Sequence, residues 1–227
     1  MKYSVVIPAY NAAETISETI DSVLSQTAAA SEIIVINDGS TDKTLQILSS
    51  YGDSITVISQ NNQGCGKATS LGFKSSKYPI IATLDADDIW LKDKMRIQLD
   101  FLNAHPNSLI VCSQLRQFHH NQIDRENGLI RDGYGRSTML IHRKVYELIG
   151  DIIDPIGNRG DLVDWLGRCR DAGIKIDFIP EVLCLRRIIP GSLSYGRNKE
   201  LDRGYLEVAR RSILRKKLSK KVGLDED

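Results

Sequence analysis

The feature that most constrains this chain is an alternation in its first hundred residues. Four short apolar runs, each closed by a polar cluster, are separated by amphipathic stretches. Residues 3–7 (YSVVI) are rich in β-branched side chains and stop at Pro8, the pattern of a buried strand. Residues 12–25 follow with Ile16, Ile20, Val23 and Leu24 at helical spacing. Glu14 and Glu18 lie near that helix's start, where its dipole favours negative charge. Residues 32–36 (EIIVI) predict a second buried strand. Asn37-Asp38-Gly39-Ser40-Thr41-Asp42 is a turn cluster able to cap the next helix, which carries Leu45 and Leu48. Residues 55–58 predict a third strand, 64–76 a Gly-opened helix and 80–84 a fourth strand. Such alternation specifies an α/β domain with a mostly parallel, Rossmann-like sheet and helices on both faces. Ligands of such sheets bind beyond the carboxyl ends of the strands. Ala9-Tyr10-Asn11, Asn37-Asp38-Gly39 and Asp85-Ala86-Asp87-Asp88 stand at those ends, so three polar clusters converge on one edge.

Beyond residue 105 the pattern changes. Residues 109–112 predict a strand, and 116–136 are polar without clear periodicity, a long loop or weak hairpin. His119-His120 within it reads as a pair of ordinary loop residues. Residues 138–149 predict a short strand and a helix, 160–172 a helix opened by Gly160 and Asp161, and 175–185 one or two strands around Pro180. Residues 199–221 predict a basic helix with Leu201, Tyr205, Val208, Ser212 and Leu218 along one stripe. No Pro- or Gly-rich linker divides the chain, which reads as one domain with a C-terminal extension.

Composition excludes several classes. Among 227 residues, 30 Lys and Arg oppose 29 Asp and Glu, so the net charge of +1 gives no reason to expect nucleic acid as a partner. No run of about 18 apolar residues is present to span a bilayer. The start of the chain lacks the serial regions of a signal peptide. Cys65, Cys112, Cys169 and Cys184 form no Cys-x-x-Cys pair, which argues against a disulfide framework or zinc site and for a cytoplasmic chain with reduced thiols. The near-zero charge conceals two local excesses, an acidic one at residues 85–88 and a basic one at residues 210–221. A basic amphipathic helix over 207–221 fits an anionic lipid surface on the inner face of a membrane. The same residues fit a solvated helix that packs its apolar stripe on the domain.

Asp85, Asp87 and Asp88 follow the fourth strand directly. Three carboxylates within four residues repel one another unless a cation or hydrogen-bond donors offset the charge. At a turn, Asp85 and Asp87 can converge on one Mg²⁺ or Mn²⁺, ions that take one or two carboxylates together with substrate phosphates. An acidic turn with Asp88 capping a helix that starts near Leu91 fits equally. Trp90 is expected to pack beneath this turn.

The order Val5-Val6-Ile7-Pro8-Ala9-Tyr10-Asn11, Asn37-Asp38-Gly39-Ser40-Thr41-Asp42, Asn62-Gln63-Gly64 and Leu84-Asp85-Ala86-Asp87-Asp88 resembles the family 2 glycosyltransferases. The match is in register through the first hundred residues and looser to about residue 195. The resemblance implies a single GT-A domain: residues 1–105 a nucleotide-sugar-binding half, 106–198 an acceptor half, and 199–227 an extension. It implies an enzyme that moves a sugar from a UDP- or GDP-linked donor to the hydroxyl of a glycan or lipid-linked acceptor. The transfer would be inverting, would use Mn²⁺ or Mg²⁺, and would serve glycan or polysaccharide biosynthesis.

By the same resemblance, Pro8, Ala9, Tyr10 and Asn11 wrap the nucleotide base, and Asp38 accepts a hydrogen bond from its edge. Asp85 contacts the ribose, Ala86 lies beside it in the donor site, and Asp87 binds the metal. Lys67, Arg186 and Arg187 are candidates for the diphosphate. Lys67 also reads as a solvated helix lysine, and alternation along a strand would turn one of the two arginines to solvent. The base usually comes from a Glu-Asp pair opening a helix. Aligned on Trp165 and Arg168, those positions are Asp161 and Leu162, so the base position is apolar and Asp161 or Asp164 must substitute. Asp161 as a mere helix cap, with Asp164 paired to Arg168, fits as well. Trp165 itself is expected in the core. Ile189 stands where many relatives carry a His, and Thr69-Ser70 replaces an Arg-Asn pair. These departures keep open a degenerate, non-catalytic nucleotide-sugar-binding protein. A Rossmann oxidoreductase is disfavoured, because Pro8-Ala9-Tyr10-Asn11 stands where a Gly-x-Gly-x-x-Gly would be needed.

Overall fold

The computed structural model describes residues 1–122, 125–192, 195–196, 198–200 and 202–222, with side chains described through 217. The first half delivers the expected alternation: β1 (Tyr3–Ala9), α1 (Ile16–Leu24), β2 (Glu32–Asp38), α2 (Thr44–Ser49), β3 (Thr56–Gln60), α3 (Cys65–Ser75) and β4 (Ile80–Thr83). A two-residue strand β5 (Ile89–Trp90) and helix α4 (Lys94–Ala104) follow. The second half contains β6 (Ile110–His119), β7 (Ile130–Gly133), a 3-10 turn (Arg136–Thr138), β8 (Leu140–His142), α5 (Arg143–Ile149), α6 (Asp161–Asp171), β9 (Ile176–Ile188) and α7 (Arg203–Val222).

All nine strands join one sheet in the order β3-β2-β1-β4-β8-β6-β9-β5, with β7 paired to β6. The strands β3, β2, β1 and β4 are parallel, as are β6 and β9. Antiparallel pairs enter through β8, β7 and β5. Alternation along β1 divides the core. Val5 and Ile7 join Ile16, Ile20, Val23, Met95 and Leu99 of α1 and α4 on one face. Val6 joins Phe73, Val145, Leu162 and Trp165 of α3, α5 and α6 on the other. Gly72 lets α3 lie against β1, since a Cβ there would come within 2.2 Å of Val6 Cγ1.

Two open expectations are resolved here. Of the long loop or weak hairpin over 116–136 the hairpin is formed, β6 pairing antiparallel with β7, and the strand's last residues are 116–119. Their pattern was masked because Phe118 is buried with Ile89 and Leu185 while its strand neighbours are polar. The region around Pro180 is one strand of 13 residues. The register steps from Ser113↔Ile179 to Gln114↔Val182, so Pro180, which has no N–H to give, sits in a bulge that needs none. The basic helix runs as expected from Arg203, but Leu201 and the side chain of Leu218 lie outside the described residues.

Candidate functional site

The ends of β1, β2 and β4 build the site. Register places Ala9 beside Asn37, and Asp38 beside Gln60. Past β1 the backbone turns through Asn11 at φ 47, a left-handed conformation that Asn tolerates. Asn11 locks two loops together: its Oδ1 accepts from Thr41 N–H at 2.8 Å, and its own N–H donates to Ser40 Oγ at 3.0 Å. Pro8 and Ala9 are buried, whereas Tyr10 is about half exposed at the mouth. Asp38 is buried, and its carboxylate accepts from Gln60 Nε2 (2.6 Å), Gln63 N–H (2.9 Å) and Gly64 N–H (3.0 Å). A cavity of about 400 Å³ opens here, lined by Pro8, Ala9, Tyr10, Asp38, Asn62, Gly64, Cys65, Ala68 and Asn158.

Cys65 and Asn158 also line a second cavity of about 230 Å³, so the two adjoin. That chamber is walled by Asp85, Asp87, Asp88, Arg136, Arg159, Asp161, Arg186 and Arg187, with Gly160, Ser192 and Tyr205. The acidic turn is held from below. Thr15 and Thr19 of α1 donate their hydroxyls to Ala86 C=O at 2.9 and 3.0 Å, and Thr19 also reaches Asp88 C=O at 2.9 Å. Trp90 packs beneath the turn, its Nε1–H on Ser137 C=O at 2.8 Å.

The three carboxylates have different surroundings. Asp88 is buried and accepts from Ser137 Oγ–H (2.5 Å) and Arg187 N–H (2.8 Å). Burial, with Asp87 and Asp85 beside it, holds its carboxyl well above the usual range. It is not the expected helix cap: α4 starts later, at Lys94, and the carboxyl fastens the turn to β9 and the 136–138 turn. Asp87 faces the chamber half-buried, and burial followed by the charge of Asp85 pushes it up to about 6. Asp85 is half-buried, with its carboxylate 3.8 Å from Arg136 Nη1 and its N–H on Ser137 Oγ at 3.3 Å.

Both arginines of β9 reach the chamber, which corrects the expectation that one faces solvent. Arg186 is half-buried. Arg187 is buried, donates from Nε to Asp87 C=O at 2.8 Å, pairs with Glu18 and lies 4.7 Å from the Phe118 ring centre. Burial pushes the Glu18 carboxyl up, but hydrogen bonds from Arg125 and Arg187 hold it below its usual value.

The two candidates for the base are separated. Gly160 adopts φ 98 and lets α6 begin abruptly, so Asp161 opens the helix inside the chamber, buried and ion-paired to Arg136. Asp164, one turn further along α6, is 1 % exposed and is bonded to Arg168 Nε (3.2 Å) and to Arg215 Nη1 of α7 (2.7 Å). Leu162 is buried in the core with Trp165, whose indole N–H is on Gly150 C=O at 2.9 Å. Lys67 is exposed; its backbone N–H and that of Gly66 are taken by the Asp154 carboxylate at 2.9 and 2.8 Å. His120 lies 3.4 Å from Glu14, outside the chamber.

Sequence reading missed Arg136, Ser137, Asp154 and Asn158. Three act on partners far away in sequence, Arg136 on Thr69 and Asp161, Ser137 on Asp88 and Asp154 on Gly66, and Asn158 lines both cavities. The one local signal was Gly133 and Gly135, which mark a turn just ahead of Arg136.

Known proteins resemble this chain in sequence and in fold. A Rickettsia typhi protein described as an uncharacterized glycosyltransferase is 43 % identical over 108 residues, covering 48 % of this chain and 34 % of its own. The chain therefore spans about a third of that relative's length. The Escherichia coli UDP-Glc:α-D-GlcNAc-diphosphoundecaprenol β-1,3-glucosyltransferase WfgD is 29 % identical over 214 residues, covering 88 % of this chain and 82 % of WfgD. Among solved structures, S. aureus TarS 1-349 in complex with UDP-GlcNAc superposes with a TM-score of 0.75 at 20 % identity, covering 95 % of this chain and 66 % of that one. The mannosyltransferase PcManGT from Pyrobaculum calidifontis, in complex with GDP-Man and Mn²⁺, gives a TM-score of 0.68 at 18 % identity, covering 85 % of this chain and 58 % of that one. These likenesses establish the GT-A fold. Residues 4–157, more than half the chain, match the profile Glycosyl transferase family 2, and the chain belongs to that family.

Proposed function

We propose that this chain is the catalytic domain of a glycosyltransferase that moves a sugar from a nucleoside-diphosphate donor to an acceptor hydroxyl, with inversion. The observation that carries the reading is the paired cavity. One lobe, at Tyr10 and Asp38, suits a base, and the adjoining lobe is lined by Asp85, Asp87, Arg186 and Asp161. Residues 1–105 then serve as the donor half, 106–198 as the acceptor half and 199–227 as an extension.

The residues fit a divalent cation. Asp85 and Asp87 offer oxygen only, and the Asp85 charge that, after burial, raises the Asp87 carboxyl also favours a cation beside it. Among the described residues no group of three or more His, Cys, Asp or Glu side chains is placed to hold a metal ion, and such a cation would take these carboxylates together with donor phosphates. Bound at Asp87, Mn²⁺ or Mg²⁺ supplies Lewis-acid stabilisation of the departing diphosphate. The chain's own residues do the rest. Asp38 and Tyr10 seat the base, Pro8, Ala9 and Asn11 shape that lobe, and Asp85 with Ala86 borders the ribose. Arg186 and Arg187 bring positive charge toward the diphosphate. Lys67, exposed at the start of α3, lies at the edge of this arrangement. Asp161 accepts the acceptor's proton, and Asp164 serves instead to hold α7. An acceptor presented on a lipid diphosphate, as WfgD's description states for that enzyme, is the matching acceptor class.

A thermal-shift screen of UDP- and GDP-sugars with Mn²⁺ tests the reading, because a ligand bound only by the folded state raises Tm. A subset should raise Tm in the wild type and fail to do so in Asp87→Ala; a flat response across the panel contradicts it. A second reading, a nucleotide-sugar binder without turnover, draws on Leu162 lying in the core and Asp161 being ion-paired to Arg136. Binding without release of nucleotide over a range of acceptors would support that alternative.

A further inference from the structure

Four carboxylates, Asp85, Asp87, Asp88 and Asp161, share a chamber of about 230 Å³ with four arginines. Carboxylates this close repel one another unless a cation is held between them. One guanidinium stands between two of them. Arg136 is 8 % exposed. Its Nη2 pairs with Asp161, its Nη1 lies 3.8 Å from Asp85, and its Nε donates to Thr69 Oγ1 at 2.9 Å. Thr69 is itself fully buried and anchored by its hydroxyl to Cys65 C=O at 2.7 Å. The Arg136 backbone is fixed as well, its C=O accepting from Thr83 Oγ1 at 2.7 Å. The rigid fork of Arg suits such a role, since it presents several donors in a fixed plane.

We propose that Arg136 is a positioning residue for the transfer, joining the donor side of the chamber to its proton acceptor. The inference rests on the glycosyltransferase reading. Through a single buried guanidinium it orients the Asp161 carboxylate and offsets the repulsion between Asp161 and Asp85. Its effect is exerted through the Asp161 and Asp85 carboxylates.

The test uses the full chain with UDP-glucose and UDP-N-acetylglucosamine as donors, UDP release as the rate and UDP with Mn²⁺ as the binding probe. Arg136→Ala should lower kcat roughly 100-fold, the scale of a misplaced catalytic group. UDP–Mn²⁺ affinity should stay within about threefold, because the donor half is intact. Thr69→Arg combined with Arg136→Ala returns a cation to the same space from the other side of the 2.9 Å contact, and should recover about tenfold of the lost kcat. If Arg136→Ala fails to fold, Arg136→Lys is read instead: it keeps the charge but cannot span three partners, and kcat should still fall about tenfold. Wild-type kcat in a folded Arg136 variant overturns the inference, as does a double variant no faster than Arg136→Ala. A wild-type chain that neither binds UDP–Mn²⁺ nor releases UDP overturns the glycosyltransferase reading, and this inference with it.

Discussion

Asp87 and Asp88 are neighbours in the chain with opposite fates. Asp88 spends its oxygens on Ser137 and Arg187 and turns inward, while Asp87 faces the chamber with its carboxyl raised to about 6. The raised value has a definite sign. The folded protein holds the Asp87 proton more tightly than the unfolded chain, whose value is near 3.8, so stability falls as pH rises from that value through 6. A cation competes with the same proton, so UDP–Mn²⁺ affinity should climb by up to about tenfold per unit below pH 6 and level off above it. Titrations at pH 5, 6 and 7 check this, and Asp87→Asn should bind weakly at all three. The acidic cluster was legible in sequence as a cluster. Its division of labour was not, because the partners that decide it come from residues 137 and 187. The same holds for the proposed base: the sequence offered Asp161 and Asp164 and leaned to Asp161 at the helix start, and it is Arg215, 51 residues beyond Asp164, that ties Asp164 to α7.

At the scale of elements, the β1-to-β4 half followed from periodicity to within a few residues, because β1, β2 and β4 are continuous buried runs and α1 has one apolar stripe. The second half was harder to read. Its strand β6 changes character midway, and β9 passes through Pro180 by a bulge that only the partner strand reveals. Helix α7 shows a related divergence. It docks on α6 through Arg215 to Asp164 and Asp171, yet Leu206, Ile213 and Leu214 remain exposed beside Arg210, Lys216 and Lys217. An outward face that mixes apolar side chains with cations is suited to an anionic bilayer. Vesicles with about one-third phosphatidylserine, enough for roughly 1 kcal/mol of attraction per surface cation, should co-sediment the protein. Arg210→Glu/Lys216→Glu/Lys217→Glu should abolish this. Co-sedimentation unchanged by the triple variant, or absent from the wild type, removes lipid contact from the account.

Across the whole molecule, one twisted sheet brings residues from five segments to a single edge: 8–11, 38, 85–88, 136–161 and 186–187. The edge itself was predictable from three polar strand ends. The turn at 136–138 and the loop carrying Asp154 and Asn158 were not, since tertiary contacts rather than local pattern place them. The central claim is that this edge holds a nucleoside diphosphate together with a divalent cation, the property every later step depends on. Isothermal titration of the chain with UDP and with GDP, each with and without Mn²⁺, tests it most directly. The account predicts saturable binding of at least one nucleotide that requires the metal and disappears in Asp87→Ala. Binding that is indifferent to metal and to Asp87, or no binding of either nucleotide, would contradict it.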